Sequence, residues 1–461
     1  MPAFSVRDFL IATKAKAAHA EPEITEFSDI VTDTRKITDG VLFIALKGER
    51  FNGEDFAVEA VKKGAKGVVV SETCEAEKYN DITGADVFTV KDTLHAYQQL
   101  AHAWREKFDI PVVAITGSNG KTTTKDLTAA VLSARGPVLK TQANFNNEIG
   151  LPMTLLGLTE EHTAAVVEIG MRGFHQIEAM APIAAPEIGI VTNVGETHME
   201  LLGSLENIAK AKSELVEAIP EGGTVILNAD NEYVARMRSK AKKGVRVLTF
   251  GLDHPANVKG DNVRTDGQTT TFDVTFAGET HAYTVAMVGR HNVENALAAI
   301  ACGFAMGETP AQIADGLTHL EATKMRFEVE DVKGYHVIND AYNASPMSMK
   351  AAIETLSELT KGRKVAVLGD MLELGDISVD AHRAVGREVA EHGFAALVTR
   401  GTMGEEIAAG AEAAGLKAVY RAASHEEAAD ILHRILQPRD AVLFKGSRGM
   451  KMEEIIKLLL R

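Results

Sequence analysis

Lys121 and Thr122, whose side-chain types bind phosphate and magnesium in many proteins, follow a short glycine loop. The loop reads Gly-Ser-Asn-Gly from residue 117 to residue 120. Gly117 and Gly120 would let the backbone N–H groups converge on phosphate oxygens, where the N-terminus of a following helix adds partial positive charge. The Lys121 ammonium would reach the β- and γ-phosphates, and the Thr122 hydroxyl would bind Mg²⁺. The residues predicted to bind a nucleotide here are Gly117, Ser118, Asn119, Gly120, Lys121, Thr122 and Thr123.

This loop is shorter than the common phosphate loop. The common loop has four residues between its first glycine and the Gly-Lys pair, whereas here only Ser118 and Asn119 lie between them. An ordinary strand-turn-helix connection with a chance Lys-Thr pair is therefore the alternative. The buried-strand pattern of Val112–Ile115 before the loop and the helical pattern after it favour the phosphate loop.

Two further residues, Glu168 and His198, each follow an apolar run that predicts a strand. A carboxylate at the C-terminal end of a parallel strand faces the crevice where open α/β sheets bind ligands. A lone histidine is more often structural than a ligand. For a histidine paired with Glu168 beside a phosphate loop, a metal-ligand role and a structural role are equally good explanations. In the run Ala-Lys-Ala-Lys-Ser-Glu-Leu from residue 209, Lys210 is predicted to be a solvated helix residue, and the run alone would place Lys212 there too.

Polar clusters elsewhere in the chain also bear on binding. The cluster 144–152 precedes a helix and, taken alone, would be a loop with a helix cap. The cluster 289–295 opens a helix, and the clusters 339–346, 369–375 and 445–453 follow predicted strands. Asp, Asn and Tyr side chains after a strand suit ribose and adenine contacts, or form a capped turn. Polar loops at strand C-termini are where a substrate would be held.

The elements that must position these residues form an α/β protein with three predicted domains. A small N-terminal α/β domain spans 1–85, a central parallel-sheet domain like that of the P-loop ATPases spans 86–318, and a C-terminal Rossmann-like α/β domain spans 319–461. The Thr-rich, alternating segment 245–288 predicts antiparallel hairpins at the edge of the central sheet. Gly-x-Gly-x-x-Gly is absent after the C-terminal strands, so nucleotide binding is not predicted from that domain alone.

The composition argues against several classes of function. The chain has 461 residues and a formal net charge of −15, which argues against nucleic acid as the main partner. The two cysteines, Cys74 and Cys302, provide neither a disulfide framework nor a cysteine metal site. The N-terminal residues lack the pattern of a signal peptide, and no apolar stretch is long enough to span a membrane. A reducing cytoplasm is the expected compartment.

Taken together, these segments resemble the Mur ligase family, the ATP-dependent amide-forming enzymes of peptidoglycan precursor synthesis. The resemblance covers nearly the whole chain, and in that family the phosphate loop has the same shortened form, Thr-Gly-x-Asn-Gly-Lys-Thr. The runs 339–346, 369–375 and 445–449 are similar to the member that joins D-alanyl-D-alanine to UDP-N-acetylmuramoyl-tripeptide. The Asp-Asn-Pro-Arg of the sibling that adds the third residue is absent; Asp261-Asn-Val-Arg lies in the predicted hairpins and does not match it.

The resemblance implies roles for individual residues. Lys121, Lys212 and His198 would be catalytic, and Lys212 matches a lysine that is carbamylated in the family. The implied metal ligands for Mg²⁺ are Thr122, Glu168, His198 and Lys212. The implied ATP contacts beyond the loop are Asn295, Arg326, Asp340, Tyr342 and Asn343. The implied contacts to the substrate are Thr34, Arg35, Lys47, Gly48, Asn144 and Asn147.

The implied cofactors are ATP and Mg²⁺, and the implied protein is a monomer whose C-terminal domain closes over ATP and dipeptide. Two alternatives stay open. The first is another amide ligase of the superfamily, such as an amino-acid-adding Mur ligase or a folylpolyglutamate synthase. The second is a nucleotide switch that uses the same loop for regulation; a switch needs no second pair of metal ligands.

Overall fold

The computed structural model describes residues 4–18, 24–48, 51–80, 82–321 and 323–461. It divides into two compact units that interleave along the chain. The first unit comprises Met1–Val113, Gly136–Ile169 and Ala179–Pro186, and the second comprises Ala114–Arg135, Gly170–Glu178 and Glu187–Arg461. The three-domain boundaries at 85 and 318 stay a prediction.

The N-terminal part of the first unit is a small α/β fold. Its strands and helices are β1 (Phe4–Ser5), α1 (Val6–Thr13), β2 (Lys16–Ala17), β3 (Glu26–Phe27), β4 (Ile30–Val31), β5 (Leu42–Ile44), α2 (Ala57–Lys62), β6 (Gly67–Ser71), β7 (Asp86–Val90) and α3 (Thr93–Arg105). The sheet order is β2-β7-β6-β5-β4, parallel except for β2. The β-branched run Val68–Val70 is fully buried, as the sequence pattern predicts.

The middle of the chain alternates strands and helices. These are β8 (Val112–Thr116), α4 (Lys121–Leu132), β9 (Val138–Lys140), α5 (Gly150–Leu155), β10 (Ala164–Glu168), α6 (Gln176–Ala184), β11 (Ile188–Val191), α7 (Met199–Leu202), α8 (Leu205–Ala218), β12 (Thr224–Asn228), α9 (Glu232–Arg236), β13 (Arg246–Gly251), β14 (Val258–Asp266), β15 (Thr269–Phe276), β16 (Glu279–Val285), α10 (Arg290–Ala305) and α11 (Pro310–Thr318). In the first unit β9 and β10 are parallel.

The sheet of the second unit corrects one expectation from the sequence. In the sheet that contains them, strands β11, β12, β13 and β14 run parallel, and β14, β15 and β16 form antiparallel hairpins at its edge. The predicted hairpin segment 245–288 was therefore wrong at its start, because β13 continues the parallel sheet. The hairpins begin at β14, and their alternating Thr residues pair across the strands, as Thr271 does with Thr284.

The C-terminal part of the second unit has helices on both faces of a sheet. Its elements are β17 (Glu328–Val332), β18 (Tyr335–Asp340), α12 (Pro346–Leu359), β19 (Lys364–Gly369), α13 (Ser378–Glu391), β20 (Ala396–Arg400), α14 (Gly404–Ala413), β21 (Val419–Ala422), α15 (His425–Ile435), β22 (Ala441–Lys445) and α16 (Glu453–Leu459). The order is β17-β18-β22-β19-β20-β21, parallel apart from β17.

Alternation along β19 shows why this sheet is buried on both faces. Ala366 and Leu368 belong to a core that includes residues of α12, α13 and α14. Val365 and Val367 belong to a second core formed with α15 and α16. A continuous apolar strand covered on both sides is typical of parallel sheets. Among the described residues, no helix combines the length and the apolar character needed to cross a membrane.

Candidate active site

The glycine loop between β8 and α4 has no room for a side chain at either of its two glycines. A Cβ on Gly117 (φ 151°) would lie 1.9 Å from Oγ1 of Thr192, and a Cβ on Gly120 (φ 79°) would lie 2.3 Å from Oδ1 of Asn295. Both positions also have backbone conformations that favour glycine. Gly120 is the N-cap of α4 and supplies no capping side chain. The loop therefore presents backbone, not side chains, at the helix N-terminus.

Asn193, which follows β11, fixes the shape of this loop. Its backbone carbonyl accepts from the Ser118 N–H at 2.9 Å, and its Oδ1 accepts from the Asn119 N–H at 2.8 Å. The Asn119 side chain accepts in turn from the Ser345 hydroxyl at 2.8 Å, and Ser345 caps α12. The sequence indicated a polar cluster at 339–346 but gave no role to Asn193 or Ser345.

The two predicted catalytic lysines of the second unit differ in environment. The Lys121 ammonium donates to the carbonyl oxygens of Gly117 at 2.8 Å and Ser118 at 3.4 Å. The Lys212 side chain is buried, with 2% exposure. Burial, and secondarily the charge of Lys121, holds the pKa of Lys212 well below its usual range.

The surface alternative for Lys212 is therefore wrong, whereas it is right for Lys210. Lys210 is exposed, and its ammonium lies 5.5 Å from the ring centre of Phe174. The two lysines are two residues apart on α8 and so point to different sides of the helix. Of these two lysines, Lys212 is the one that lies in the interior of the unit.

Arg326 reaches the start of α4 from the segment before β17. Its Nη2 donates to the Thr122 hydroxyl at 3.2 Å, and its guanidinium lies 4.0 Å from the ring centre of Tyr342. Within the described part of the chain, its buried Nε has no hydrogen-bond partner. A buried donor without an acceptor is costly, so this side chain is well suited to meet an anion.

Asp340, at the end of β18, forms a buried ion pair that sequence reasoning missed. Its Oδ2 lies 2.6 Å from the Lys445 ammonium, which also donates to the backbone carbonyl of Asn343 at 3.0 Å. Burial lowers the pKa of Lys445, while Asp340 opposes that shift. The signal available in the sequence was that the 339–346 and 445–453 clusters both follow predicted strands.

Asn119, Asn193, Arg326, Asp340 and Lys445 line a cavity of about 350 Å³ in the second unit. Its walls combine loop, helix and sheet residues, among them Asn119, Gly120, Thr123, Asn193, His291, Asn292, Glu294, Asn295, Arg326, Phe327, Asp340, Met347 and Lys445. Burial raises the pKa of Glu294 to about 7 and lowers the pKa of His291 to about 4. The predicted Asn295 lies on this wall and accepts from the Thr124 hydroxyl at 3.2 Å.

His198 is held in a left-handed conformation (φ 56°) at the start of α7. Its Nδ1 lies 2.5 Å from a carboxylate oxygen of Glu373, in the 369–375 cluster that the sequence singled out without naming this residue. The hydrogen bond to His198 is the main cause that lowers the pKa of Glu373.

Glu168 lies in the first unit, at the end of β10. Its side chain is 3% exposed and accepts from the Asn146 amide at 2.7 Å, and its backbone N–H donates to the Thr141 hydroxyl at 3.0 Å. Asn147 accepts from the Gly150 N–H at 2.9 Å, just before α5. The predicted substrate residue Asn144 is exposed in the same loop.

The other predicted substrate residues lie in turns of the N-terminal fold. The Arg35 guanidinium pairs with Asp33 at 2.6 Å, and this pairing lowers the pKa of Asp33 to about 2. Residues Thr34–Lys36 form a 3₁₀ turn. Lys47 and Asn52 form an isolated antiparallel β-bridge through their backbones, and the Gly48 N–H donates to the carbonyl of Phe51 at 2.9 Å. Glu49 and Arg50, which follow Gly48, lie outside the described residues.

Family models match three successive regions of the chain. Residues 26–105 match the Mur ligase family, catalytic domain, residues 115–303 match the Mur ligase middle domain, and residues 325–448 match the Mur ligase glutamate ligase domain. The chain is 39% identical to UDP-N-acetylmuramoyl-tripeptide–D-alanyl-D-alanine ligase of Bacillus subtilis (strain 168), over 99% of this chain and 98% of that protein. It is 37% identical to the Escherichia coli (strain K12) enzyme of the same name, over 93% of each chain.

Solved structures agree with these matches. A crystal structure of MurF from Acinetobacter baumannii has a TM-score of 0.91 at 31% identity and covers 100% of this chain and 99% of that one. The MurF ligase from Thermotoga maritima in complex with ADP has a TM-score of 0.83 at 26% identity, with 94% and 96% coverage.

Proposed function

This chain belongs to the Mur ligase family, and we propose that it is the ATP-dependent ligase that joins D-alanyl-D-alanine to UDP-N-acetylmuramoyl-tripeptide. The observation that carries the proposal is the similarity to ligases of that name over 99% of the chain. The product would be the pentapeptide precursor of peptidoglycan, formed together with ADP and phosphate.

The reaction needs an activated carboxyl group, because a carboxylate is a poor electrophile. Its oxygen attacks the γ-phosphorus of ATP and ADP leaves, which gives an acyl phosphate. The amine of D-alanyl-D-alanine then attacks the acyl carbon, and phosphate leaves as the amide forms. Water would hydrolyse the acyl phosphate, so the protein must exclude it.

We assign the ATP phosphates to the glycine loop, with Lys121 as the counter-charge. The shape of the loop supports this, because the spaces at Gly117 and Gly120 admit only backbone. Arg326 would add a second cation to the phosphates through its buried, unpartnered Nε. Asn295, Asp340, Tyr342 and Asn343 are assigned to the nucleoside. Cations aimed at the transferring group stabilise charge that develops in the transition state.

The residues also suit Mg²⁺, which prefers oxygen ligands. Thr122 offers a buried hydroxyl, and His198 offers the imidazole nitrogen that does not face Glu373. The buried carboxylate of Glu168 stays a predicted metal ligand. When bound, Mg²⁺ would neutralise phosphate charge and orient the γ-phosphate.

Lys212 fits this site as a carbamate. Burial and Lys121 hold its pKa low, which favours the neutral amine. That amine attacks CO₂, a new N–C bond forms, and a proton leaves to solvent. The carbamate carries a negative charge and two oxygen acceptors, which a hard cation prefers to an ammonium. Monomeric state and cytoplasmic location stay predictions.

The test is product analysis. Purified protein is mixed with ATP, Mg²⁺, UDP-N-acetylmuramoyl-tripeptide and D-alanyl-D-alanine, and the product is identified by mass. The expected result is the pentapeptide, with one ADP and one phosphate per amide. ATP hydrolysis without an amide product would overturn the proposal and favour a nucleotide switch. Amide formation with single amino acids or a folate instead would favour another ligase of the superfamily.

A further inference from the structure

The loop Gly369–Gly375, called the 369–375 loop below, is fixed to the C-terminal sheet. The Met371 N–H donates to Nε2 of His382 at 2.9 Å, and the Leu372 N–H donates to the Ser447 hydroxyl at 2.9 Å. The side chain of Met371 is buried in the core of that sheet. This loop is therefore a rigid support, and a side chain that projects from it is held in a defined place.

Glu373 is such a side chain, and it binds three groups that belong to the polar segments after β10 and β11. One carboxylate oxygen lies 2.5 Å from Nδ1 of His198, and the other lies 3.0 Å from the guanidinium of Arg172. The backbone carbonyl of Glu373 accepts from the Glu200 N–H at 3.2 Å. Both Glu373 (φ 64°) and His198 (φ 56°) adopt left-handed conformations that are uncommon for such residues.

The orientation of this contact determines which imidazole nitrogen is available. A carboxylate accepts, so Nδ1 of a neutral His198 carries the proton and Nε2 carries the lone pair. A carboxylate that holds one ring nitrogen commonly fixes the tautomer and the ring orientation of a metal-ligating histidine. Glu373 therefore defines both the tautomer and the direction of Nε2.

We propose that Glu373 is a positioning residue for His198, and that it prepares the ring only while the 369–375 loop packs against the start of α7. The C-terminal sheet thereby controls the imidazole of a side chain that follows β11. This inference rests on the proposed function, because it takes His198 to be the metal ligand named there. Glu373 is not among the residues assigned above to the nucleotide, and it would act through His198.

The competing explanation is an ordinary surface ion pair. The side chain of Glu373 is 34% exposed and that of His198 is 25% exposed, and exposed pairs contribute little to stability. In both explanations the carboxylate biases the tautomer, but loss of a purely structural pair would leave metal binding unchanged. The two explanations therefore differ in measurements other than stability.

The experiment compares Glu373→Ala and Glu373→Gln with a matched control, Asp376→Asn. Asp376 is an exposed carboxylate in the turn that follows the 369–375 loop, so its variant makes the same change of charge. Three quantities are measured on the full chain: the Mg²⁺ dependence of amide formation, the binding of Mn²⁺ by electron paramagnetic resonance, and the imidazole tautomer by ¹⁵N-histidine NMR above the usual histidine pKa. A His198→Asn sample identifies the His198 signals.

Glu373→Ala is expected to weaken Mn²⁺ binding and to raise the Mg²⁺ concentration for half-maximal rate by about 10- to 100-fold. Its His198 spectrum should show a mixture of tautomers in place of the single Nδ1–H form. Glu373→Gln keeps an accepting oxygen and should recover part of both properties, while Asp376→Asn should behave as the wild type. Unchanged metal binding in Glu373→Ala would overturn the inference, whether or not the tautomer changes. If wild type and Asp376→Asn form no amide, the proposed function fails, whereas the comparison of Mn²⁺ binding still tests the role of Glu373.

Discussion

The ion pair between Asp340 and Lys445 allows a quantitative prediction. The two charged atoms are 2.6 Å apart, the Lys445 side chain is 2% exposed and the Asp340 side chain is 13% exposed. Replacing Asp340 by Asn removes the charge but keeps the shape, and leaves Lys445 with the carbonyl of Asn343. Removing one partner of a buried pair costs about 3 to 5 kcal/mol of unfolding free energy. We expect about 3 kcal/mol, since burial already lowers the pKa of Lys445 and loss of its proton limits the cost.

Lys445→Met should cost less, about 2 kcal/mol, because Asp340 is nearer to solvent and its Oδ1 still accepts from the Phe327 N–H. The double variant has no unpaired charge, so its cost should stay near 3 kcal/mol, which is a coupling of about 2 kcal/mol. The two residues lie directly opposite each other on paired strands, so their effects should be strongly non-additive.

The assay must report on the second unit. The single tryptophan, Trp104, belongs to the first unit, so its fluorescence is unsuitable. Hydrogen exchange of peptides from β18 and β22 is the direct measurement, and a loss of about 3 kcal/mol should speed exchange about 100-fold. Glu330→Gln, an exposed change on β17 of the same sheet, is the control. Additive effects, or Asp340→Asn exchanging like the control, would refute the reasoning.

Three further predictions follow from the site. Lys121→Ala should reduce kcat by about 10² to 10³ with unchanged circular dichroism; a near wild-type rate would contradict the assignment. Lys212→Ala should lose most activity and recover part of it with added small carboxylates, whereas Lys210→Ala, an exposed neighbour, should not change the rate. The pKa of His291 falls from 6.5 to about 4 on folding, so the unfolded state binds more protons in that interval. Stability should therefore decrease as pH falls through it, by about 2 kcal/mol after allowance for the half-buried ring, and urea titrations of His291→Asn should show a smaller pH slope.

Local patterns predicted the elements well, since each depends on residues close in sequence. The run Val112–Ile115 indicated β8 because β-branched residues without polar interruption suit a strand buried on both faces. The hairpin segment was wrong at β13, which pairs in parallel with both β12 and β14. Strand direction is set by the connection between strands, which alternation does not report.

Pairings across the second unit could not be predicted. Asn193, Ser345, Glu373 and Lys445 each act through a partner that is distant in sequence. For Glu373 the partner His198 is 175 residues away. The sequence shows that polar clusters follow predicted strands. Which clusters lie together, and which side chains pair, depends on the order of the strands in the sheet. The sequence therefore predicted the regions of the site and not the contacts within it.

The environment of Lys212 shows how burial changes the charge state that a lysine side chain favours. On sequence alone, a lysine on an amphipathic helix is a surface charge, and Lys210 is one. Lys212 is instead on the buried face of α8 with Ala211 and Leu215, where an ammonium is penalised both by desolvation and by Lys121. A neutral amine removes that penalty but leaves the helix with no anion for Lys121 or a metal. A carbamate is again a buried charge, but its sign is reversed, so that Lys121 becomes an attractive neighbour that offsets the desolvation. Burial thus favours the neutral amine from which a carbamate forms, and Lys121 favours the carbamate over the ammonium, which is why we propose a chemical role for Lys212.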